Sequence, residues 1–226
     1  MPESSHAAAL SPTEIPAHPV AHQFDTAEQQ YEASQLGMWI FLANEIMFFG
    51  GLLAAYLVSF VLYPESFEDA SNHLSLPLGT FNTIVLLGSS LTMALAVHAA
   101  QIGERKQQVR QLTWTLILGS IFLVVKGYEY AHKFHEGLIP GPSFAFKGPG
   151  AGEHELFVSF YFALTGLHAA HMVIGIGILV WLILRARRGH FGPSYFTPVE
   201  CSGLYWHFVD LVWIFLFPLL YLLGRH

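Results

Sequence analysis

The chain has 226 residues, of which 53% are hydrophobic and only 12% are charged, and its mean hydropathy is +0.46. Soluble domains carry charge on about a quarter of their residues, so this composition excludes an ordinary soluble protein and indicates a polytopic membrane protein. The formal net charge of −6 resides in tails and loops, and no basic cluster is large enough to indicate a nucleic-acid partner.

The first predicted element is a polar tail over residues 1–33, which we expect to be flexible and which lacks the charged and apolar regions of a secretion signal. Residues 34–226 hold five apolar segments, each close to the ~20 residues that cross a bilayer. An acidic link joins the first two, and an irregular loop rich in Gly and Pro joins the third and fourth. The sequence therefore predicts an all-α fold, a polytopic bundle of five transmembrane helices. The predicted spans are Ser34–Tyr63, Leu78–Gln101, Leu112–His132, Glu155–Leu184 and Cys201–Gly224.

The Lys and Arg residues of the connections predict the orientation of this bundle, because cytoplasmic loops carry an excess of them. The side that holds the second-to-third and fourth-to-fifth connections has six, and the opposite side has three. We therefore expect a cytoplasmic amino terminus and an exterior carboxyl terminus. The six are Arg105, Lys106, Arg110, Arg185, Arg187 and Arg188, and the three are Lys133, Lys147 and Arg225.

Ionisable residues lie inside the predicted spans. An unpaired charge there costs free energy, so such residues are candidates for a function. Glu45 of the first span and Asp210 of the fifth each lie about 15 Å from the same side, which predicts one polar layer. His207 lies three residues before Asp210 on the same helix face, and His168 and His171 of the fourth span have the same spacing. We expect these side chains to form hydrogen bonds between helices.

Three further residues extend this set. His98 lies near the cytoplasmic end of the second span, and Lys126 and Glu129, three residues apart near the outer end of the third, are predicted to form a pair.

Each pattern has a functional and a structural interpretation. The spacing of His168 and His171 suits metal ligation, but a metal site needs three or four convergent ligands, so hydrogen bonds between helices are favoured. For His207 and Asp210 both interpretations stay open. Glu45, in FLANEIMFFGG, has no neutralising neighbour in the sequence, which favours a functional buried carboxylate.

Several sequence patterns that would indicate a redox or catalytic centre are absent. The sequence has no C-x-x-C-H haem motif and no Walker loop, and its single cysteine, Cys201, can neither form an internal disulfide nor hold a metal alone. We therefore expect no catalytic residue and no metal site in this chain, which indicates a helper subunit.

Five stretches of the sequence carry a resemblance to a known family. They are GMWIFLANEIMFFGGLLAAY, LGTFNTIVLLGSSLTMALAVHAA, LGSIFLVVKGYEY, FYFALTGLHAAHMVIG and LYWHFVDLVWIFLFPLLYLLG. In this order they resemble subunit III of the haem–copper oxidases, in particular of the cytochrome c oxidase type. The resemblance covers about residues 35–224 and its most specific parts are WHFVD and TG-x-H-x-x-H. Many members have seven spans, and this chain resembles the last five.

The resemblance implies a chain that binds no haem or copper itself, because both cofactors lie in the partner subunit I. It implies contacts with subunits I and II and with phospholipid, in a bacterial cytoplasmic membrane. It also implies support of subunit I, by sustaining proton uptake and by preserving the active site during O₂ reduction. Glu45 matches the family's buried carboxylate, and other positions match as well. These are His168, His171, Glu129, Glu200, His207 and Asp210, with Arg185, Arg188 and His190 at positions that hold lipid headgroups.

Two other functions stay open beside this one. The same fold serves quinol oxidases and nitric oxide reductases, so the complex could receive electrons from cytochrome c or from quinol. A free-standing transporter would predict broken or paired short helices, and the spans here are long and continuous. The sequence also departs from the family at Lys126, where an uncharged polar residue is common, and in the long loop between the third and fourth spans.

Overall fold

The computed structural model describes residues 20–72, 74–135, 137, 140 and 150–223. In these ranges the chain forms six helices and no named strand. Five of the helices are long and apolar enough to cross a membrane. The helices are α1 Ala27–Leu62, α2 Pro64–Asn72, α3 Leu76–Gln101, α4 Arg105–His135, α5 Ala151–Arg187 and α6 Thr197–Tyr221.

The all-α architecture and the five membrane-spanning segments are confirmed. Each of the five long helices begins before the first residue of its predicted span. The largest differences at a helix start are equal in size and fall at α1 and α4, and α1, which begins at Ala27, extends into the predicted tail. The Thr26 hydroxyl caps this end by accepting a hydrogen bond from the Gln29 backbone N–H at 3.1 Å. Hydropathy locates where a helix enters the bilayer, whereas this cap and the polar first turns set where it begins. Gly224 and most of the long loop lie outside the described residues.

Helix α2 occupies the segment that was predicted to be an acidic link. It is amphipathic: Phe67 and Ala70 are buried while Glu65 is exposed. The Phe67 ring packs against Tyr56 of α1 at 5.6 Å and Phe157 of α5 at 5.4 Å between ring centroids. The apolar stripe of this short helix therefore closes one end of the bundle.

Helix α6 occupies the centre of the bundle. Its backbone approaches α1, α2, α3 and α5, and its side chains also reach α4. Trp206 fills a notch between α4 and α5, because a Cβ on Gly119 or Gly175 would come within 2.7 or 2.9 Å of the indole. Small residues allow such close approach between membrane helices, where packing replaces the hydrophobic effect as the driving force.

Helix α1 lies at the edge of this arrangement. Its backbone approaches α2, α5 and α6, and in the described residues it does not approach α3 or α4. Leu42, Phe49 and Tyr56 form its buried stripe, and most of its remaining surface is exposed.

Candidate functional site

The structure pairs Glu45 of α1 with His171 of α5. The His171 Nε2 atom lies 3.2 Å from Glu45 Oε2, and each side chain is 13% exposed. The contact is poorly oriented, because Glu45 Oε2 has no hydrogen bond among the described residues. Sequence reasoning predicted Glu45 in a layer with Asp210, but the ionisable residue within ion-pair distance of Glu45 belongs to α5.

The surroundings of His171 fix which atoms carry protons. Its Nδ1 lies 2.9 Å from the carbonyl of Leu167, and a carbonyl only accepts, so Nδ1–H is the donor there. Nε2 then attracts the Glu45 carboxyl only if one proton is present between them, either on the ring as imidazolium or on the carboxyl group.

Aromatic groups enclose this pair. The Phe49 ring lies 5.1 Å from the imidazole, and Tyr205 of α6 stacks at 6.4 Å. The Tyr205 hydroxyl donates to the His171 carbonyl at 2.9 Å. Contacts from α1, α5 and α6 thus converge on one histidine.

His207 and Asp210 of α6 face helix α3. His207 Nδ1 shares a hydrogen bond of 2.7 Å with the Ser90 hydroxyl. Asp210 is 3% exposed and Ser90 lies within interaction range of it, yet neither carboxyl oxygen has a hydrogen bond among the described residues. The predicted interhelical bond is found for His207 and is not found for Asp210.

His168 is committed to a structural contact. Its Nε2–H donates to the Val209 carbonyl at 3.1 Å, and the ring lies between Phe122 at 5.3 Å and Trp213 at 5.2 Å. The other ring nitrogen of His168, Nδ1, has no hydrogen-bond partner among the described residues. Nowhere in the described residues do three or more His, Cys, Asp or Glu side chains converge on a metal position.

Lys126 and Glu129 form the predicted pair, with 3.0 Å between Nζ and Oε2. The structure adds partners that the sequence did not suggest. Lys126 also donates to the hydroxyls of Tyr161 at 3.2 Å and Tyr221 at 2.9 Å, and Tyr221 donates to Glu129 Oε1 at 2.7 Å. The Trp213 ring lies 5.0 Å from Nζ. These residues together join α4, α5 and α6, and we call them the lysine knot: Lys126, Glu129, Tyr161, Tyr221 and Trp213.

Two other predicted residues lie at the end of the bundle where α1 begins. Glu200 accepts a hydrogen bond of 2.8 Å from the Gln35 side chain, which joins α6 to α1. His98 is exposed in the last turn of α3, and among the described residues it makes no contact with the other predicted site residues.

The predicted lipid-headgroup residues lie at the same end, where α5 meets its turn into α6. Arg185, Arg188 and His190 are all exposed, and the Arg185 guanidinium lies 5.4 Å from the Trp181 ring. Arg105 of α4 joins them, because its Nε donates to the Ala186 carbonyl at 3.1 Å. Two turns far apart in sequence thus form one basic surface.

Comparison with known proteins agrees with these features. The cytochrome c oxidase subunit III family matches residues 22–225, nearly all of the chain. The chain belongs to this family. Cytochrome c oxidase subunit 3 of Corynebacterium diphtheriae is 36% identical over 188 residues, which cover 82% of this chain and 86% of the relative. That of Thermostichus vulcanus is 33% identical over 206 residues, covering 89% and 92%. Quinol oxidase subunit 3 of Bacillus spizizenii is 33% identical over 214 residues, covering 90% and 96%.

Membership in the subunit III family establishes the coarse function. The chain is an integral membrane subunit of a terminal oxidase complex, and it works together with other oxidase subunits. The resemblance stated from the five sequence stretches is confirmed.

Proposed function

We propose that this chain is the non-redox accessory subunit III of a proton-translocating oxidase, which receives electrons from cytochrome c. It binds subunit I and phospholipid, and it supports proton uptake and active-site integrity during O₂ reduction. Haem and copper belong to subunit I, and this chain supplies no catalytic residue. We place the complex in a bacterial cytoplasmic membrane, with the amino terminus of this chain in the cytoplasm.

The Glu45–His171 pair is the observation that carries this proposal. His171 Nε2 and Glu45 Oε2 lie 3.2 Å apart, a contact that becomes attractive when one proton is present between them. The contact lies on α1, at the edge of the bundle. A proton held in a single weakly oriented contact can be exchanged with less reorganisation than one held in a complete network. We therefore assign to this pair the coupling between subunit III and the proton uptake of the complex.

The basic surface supports the lipid part of the proposal. Arg185, Arg188 and His190 are exposed at the end of α5, and Trp181 places an aromatic ring beside Arg185, as is typical of a membrane interface. Clusters of Lys and Arg at this level attract anionic headgroups, each contributing about 1 kcal/mol. We expect phospholipid bound here to join this chain to its neighbours.

A quinol oxidase is the second candidate complex. The observation that favours it is the quinol oxidase subunit 3 of Bacillus spizizenii, which matches this chain over 96% of its own length.

The experiment is a purification of the native complex in mild detergent, followed by a reduced-minus-oxidised optical spectrum. Haem a signals support the cytochrome c type, and haem b and o signals alone move the donor to quinol. A folded chain that purifies without any haem protein contradicts the proposal.

Glu45→Gln tests the role of the pair within that complex. A glutamine amide cannot take up or release a proton, so we expect an assembled complex with slower proton-linked turnover and faster loss of activity during sustained turnover. The control is Glu65→Gln on the exposed face of α2, which should leave both rates unchanged. Equal rates and equal lifetimes for Glu45→Gln and wild type would remove Glu45 from the proposal.

A further inference from the structure

The outer surface of α1 carries a polar residue in the middle of the membrane. Asn44 lies at the centre of the 36-residue helix, about 26 Å from either end. Its side chain is exposed, and it makes no hydrogen bond with any described residue. Acyl chains offer no hydrogen-bond partner, so an amide that faced lipid at this depth would be left unsatisfied.

Asn44 differs in this respect from the central residues of the other described helices. Near the middle of α3 to α6, the side chains that can form hydrogen bonds are buried or half-buried. Ser89, Thr165 and His168 are 0% exposed, for example, and all three have hydrogen-bond partners inside the bundle. The exposed amide is therefore a special feature of α1.

The helix surface around Asn44 allows close approach from outside. Gly37 and Gly51 lie seven residues before and after it, which places all three on one face of the helix. A Cβ added to either glycine would meet no atom within 4 Å, whereas one on Gly119 or Gly175 would collide with Trp206. The internal packing of this chain thus explains Gly119 and Gly175, whereas it leaves Gly37 and Gly51 open, as it also leaves Gly127 of α4 and Gly177 of α5.

We infer that the face of α1 centred on Asn44 binds a transmembrane helix of another subunit of the complex. That helix presents, at the depth of Asn44, a side chain that both donates and accepts hydrogen bonds, such as Asn, Gln, Ser or Thr. Small residues with one polar residue between them are the usual interface of membrane helices. The inference deepens the proposed function and rests on it for the identity of the partner, since an oxidase subunit III works with other subunits.

The extent of this face suits one helix. From Ile40 to Val58 it runs for about 27 Å, close to the ~30 Å of the hydrocarbon core. Phospholipid is a poorer occupant, because its polar groups lie near the membrane surfaces and would not reach Asn44. The opposite flank of α1, with Ile46 about 160° away from Asn44, is apolar and open, as expected for contact with lipid.

Photo-crosslinking in the intact complex in native membranes tests the inference. The photoreactive residue p-benzoylphenylalanine replaces Val58 on the Asn44 face or, as the matched control, Ile46 on the other flank; both are 60% exposed. We expect Val58 to give an adduct with a hydrophobic peptide of another subunit and Ile46 to give lipid adducts. Lipid adducts from both positions, or an adduct with a second copy of this chain, would overturn the inference.

Two substitutions measure the contribution of the amide itself. Asn44→Ala should lower the yield of the Val58 adduct about three- to tenfold, as expected for one hydrogen bond between membrane helices, and Asn44→Gln should restore most of it. An unchanged yield with Asn44→Ala would contradict the inference. The optical spectrum separates this result from the proposed function: if haem copurifies and no subunit adduct forms, the inference fails alone, and if no haem copurifies with wild type, the proposed function fails.

Discussion

Two buried acid–base pairs in this bundle have opposite character. In the lysine knot, Lys126 and Glu129 are bonded to each other and to two tyrosine hydroxyls, so the pair is enclosed by a complete network across α4, α5 and α6. Glu45 and His171 have one weakly oriented contact at the edge of the bundle. The first pair joins three helices, and the second is the pair to which we propose to assign proton exchange.

The largest effect is expected when the lysine knot is broken on one side. Lys126→Met leaves the Glu129 carboxylate buried without its cation, so the free energy of unfolding in mild detergent should fall by about 3–5 kcal/mol. Lys126→Met/Glu129→Leu removes both charges and should return the stability to within about 1 kcal/mol of wild type. If the single and double variants are equally unstable, the knot does not act as a charged unit.

A smaller effect distinguishes the packed core from the edge helix. Gly119→Ala places a Cβ against the Trp206 indole and should cost about 1–3 kcal/mol of unfolding free energy. Gly50→Ala on α1, where an added Cβ meets nothing within 4 Å, should be neutral or stabilising by up to about 1 kcal/mol. Thermal unfolding of the two variants in the same detergent measures the difference, and equal costs would contradict this contrast.

The smallest effect concerns the attachment of α1. The Tyr56 hydroxyl donates to the Leu219 carbonyl at 2.7 Å, so Tyr56→Phe should cost about 1 kcal/mol. Hydrogen exchange should become faster in the second half of α1 and stay unchanged around Lys126. Faster exchange throughout α4 would show that the edge and the core are not separable.

The sequence predicted the helices well and the contacts between them unevenly. Apolar runs locate spans, and the three-residue spacing of Lys126 and Glu129 was enough to predict their pair. Glu45 and Asp210 were expected in one polar layer because the two lie at similar depth. Depth is readable from a sequence, but the rotation of each helix about its axis is set by packing, and here it turns Glu45 toward His171.

Partners from distant segments were missed for the same reason. Nothing near Lys126 in the sequence indicates Tyr161 or Tyr221, which approach it only because α5 and α6 pack against α4. Asn44 could have been noticed beside Glu45, since an amide within an apolar run is visible in the sequence. Its exposure, however, is a property of the fold alone.

The central position of α6 has a consequence for how the protein is made. Helices enter the membrane in chain order, so the helix that completes the core is also the last of the five to be inserted. Until α5 and α6 arrive, α1 has only the short α2 to contact, and the surface of α4 at Gly119 is uncovered. Because these contacts between distant segments form late, the surfaces of the earlier helices stay exposed and can form non-native contacts in the meantime. Assembly of this subunit therefore depends on its final span being present before its first one can settle.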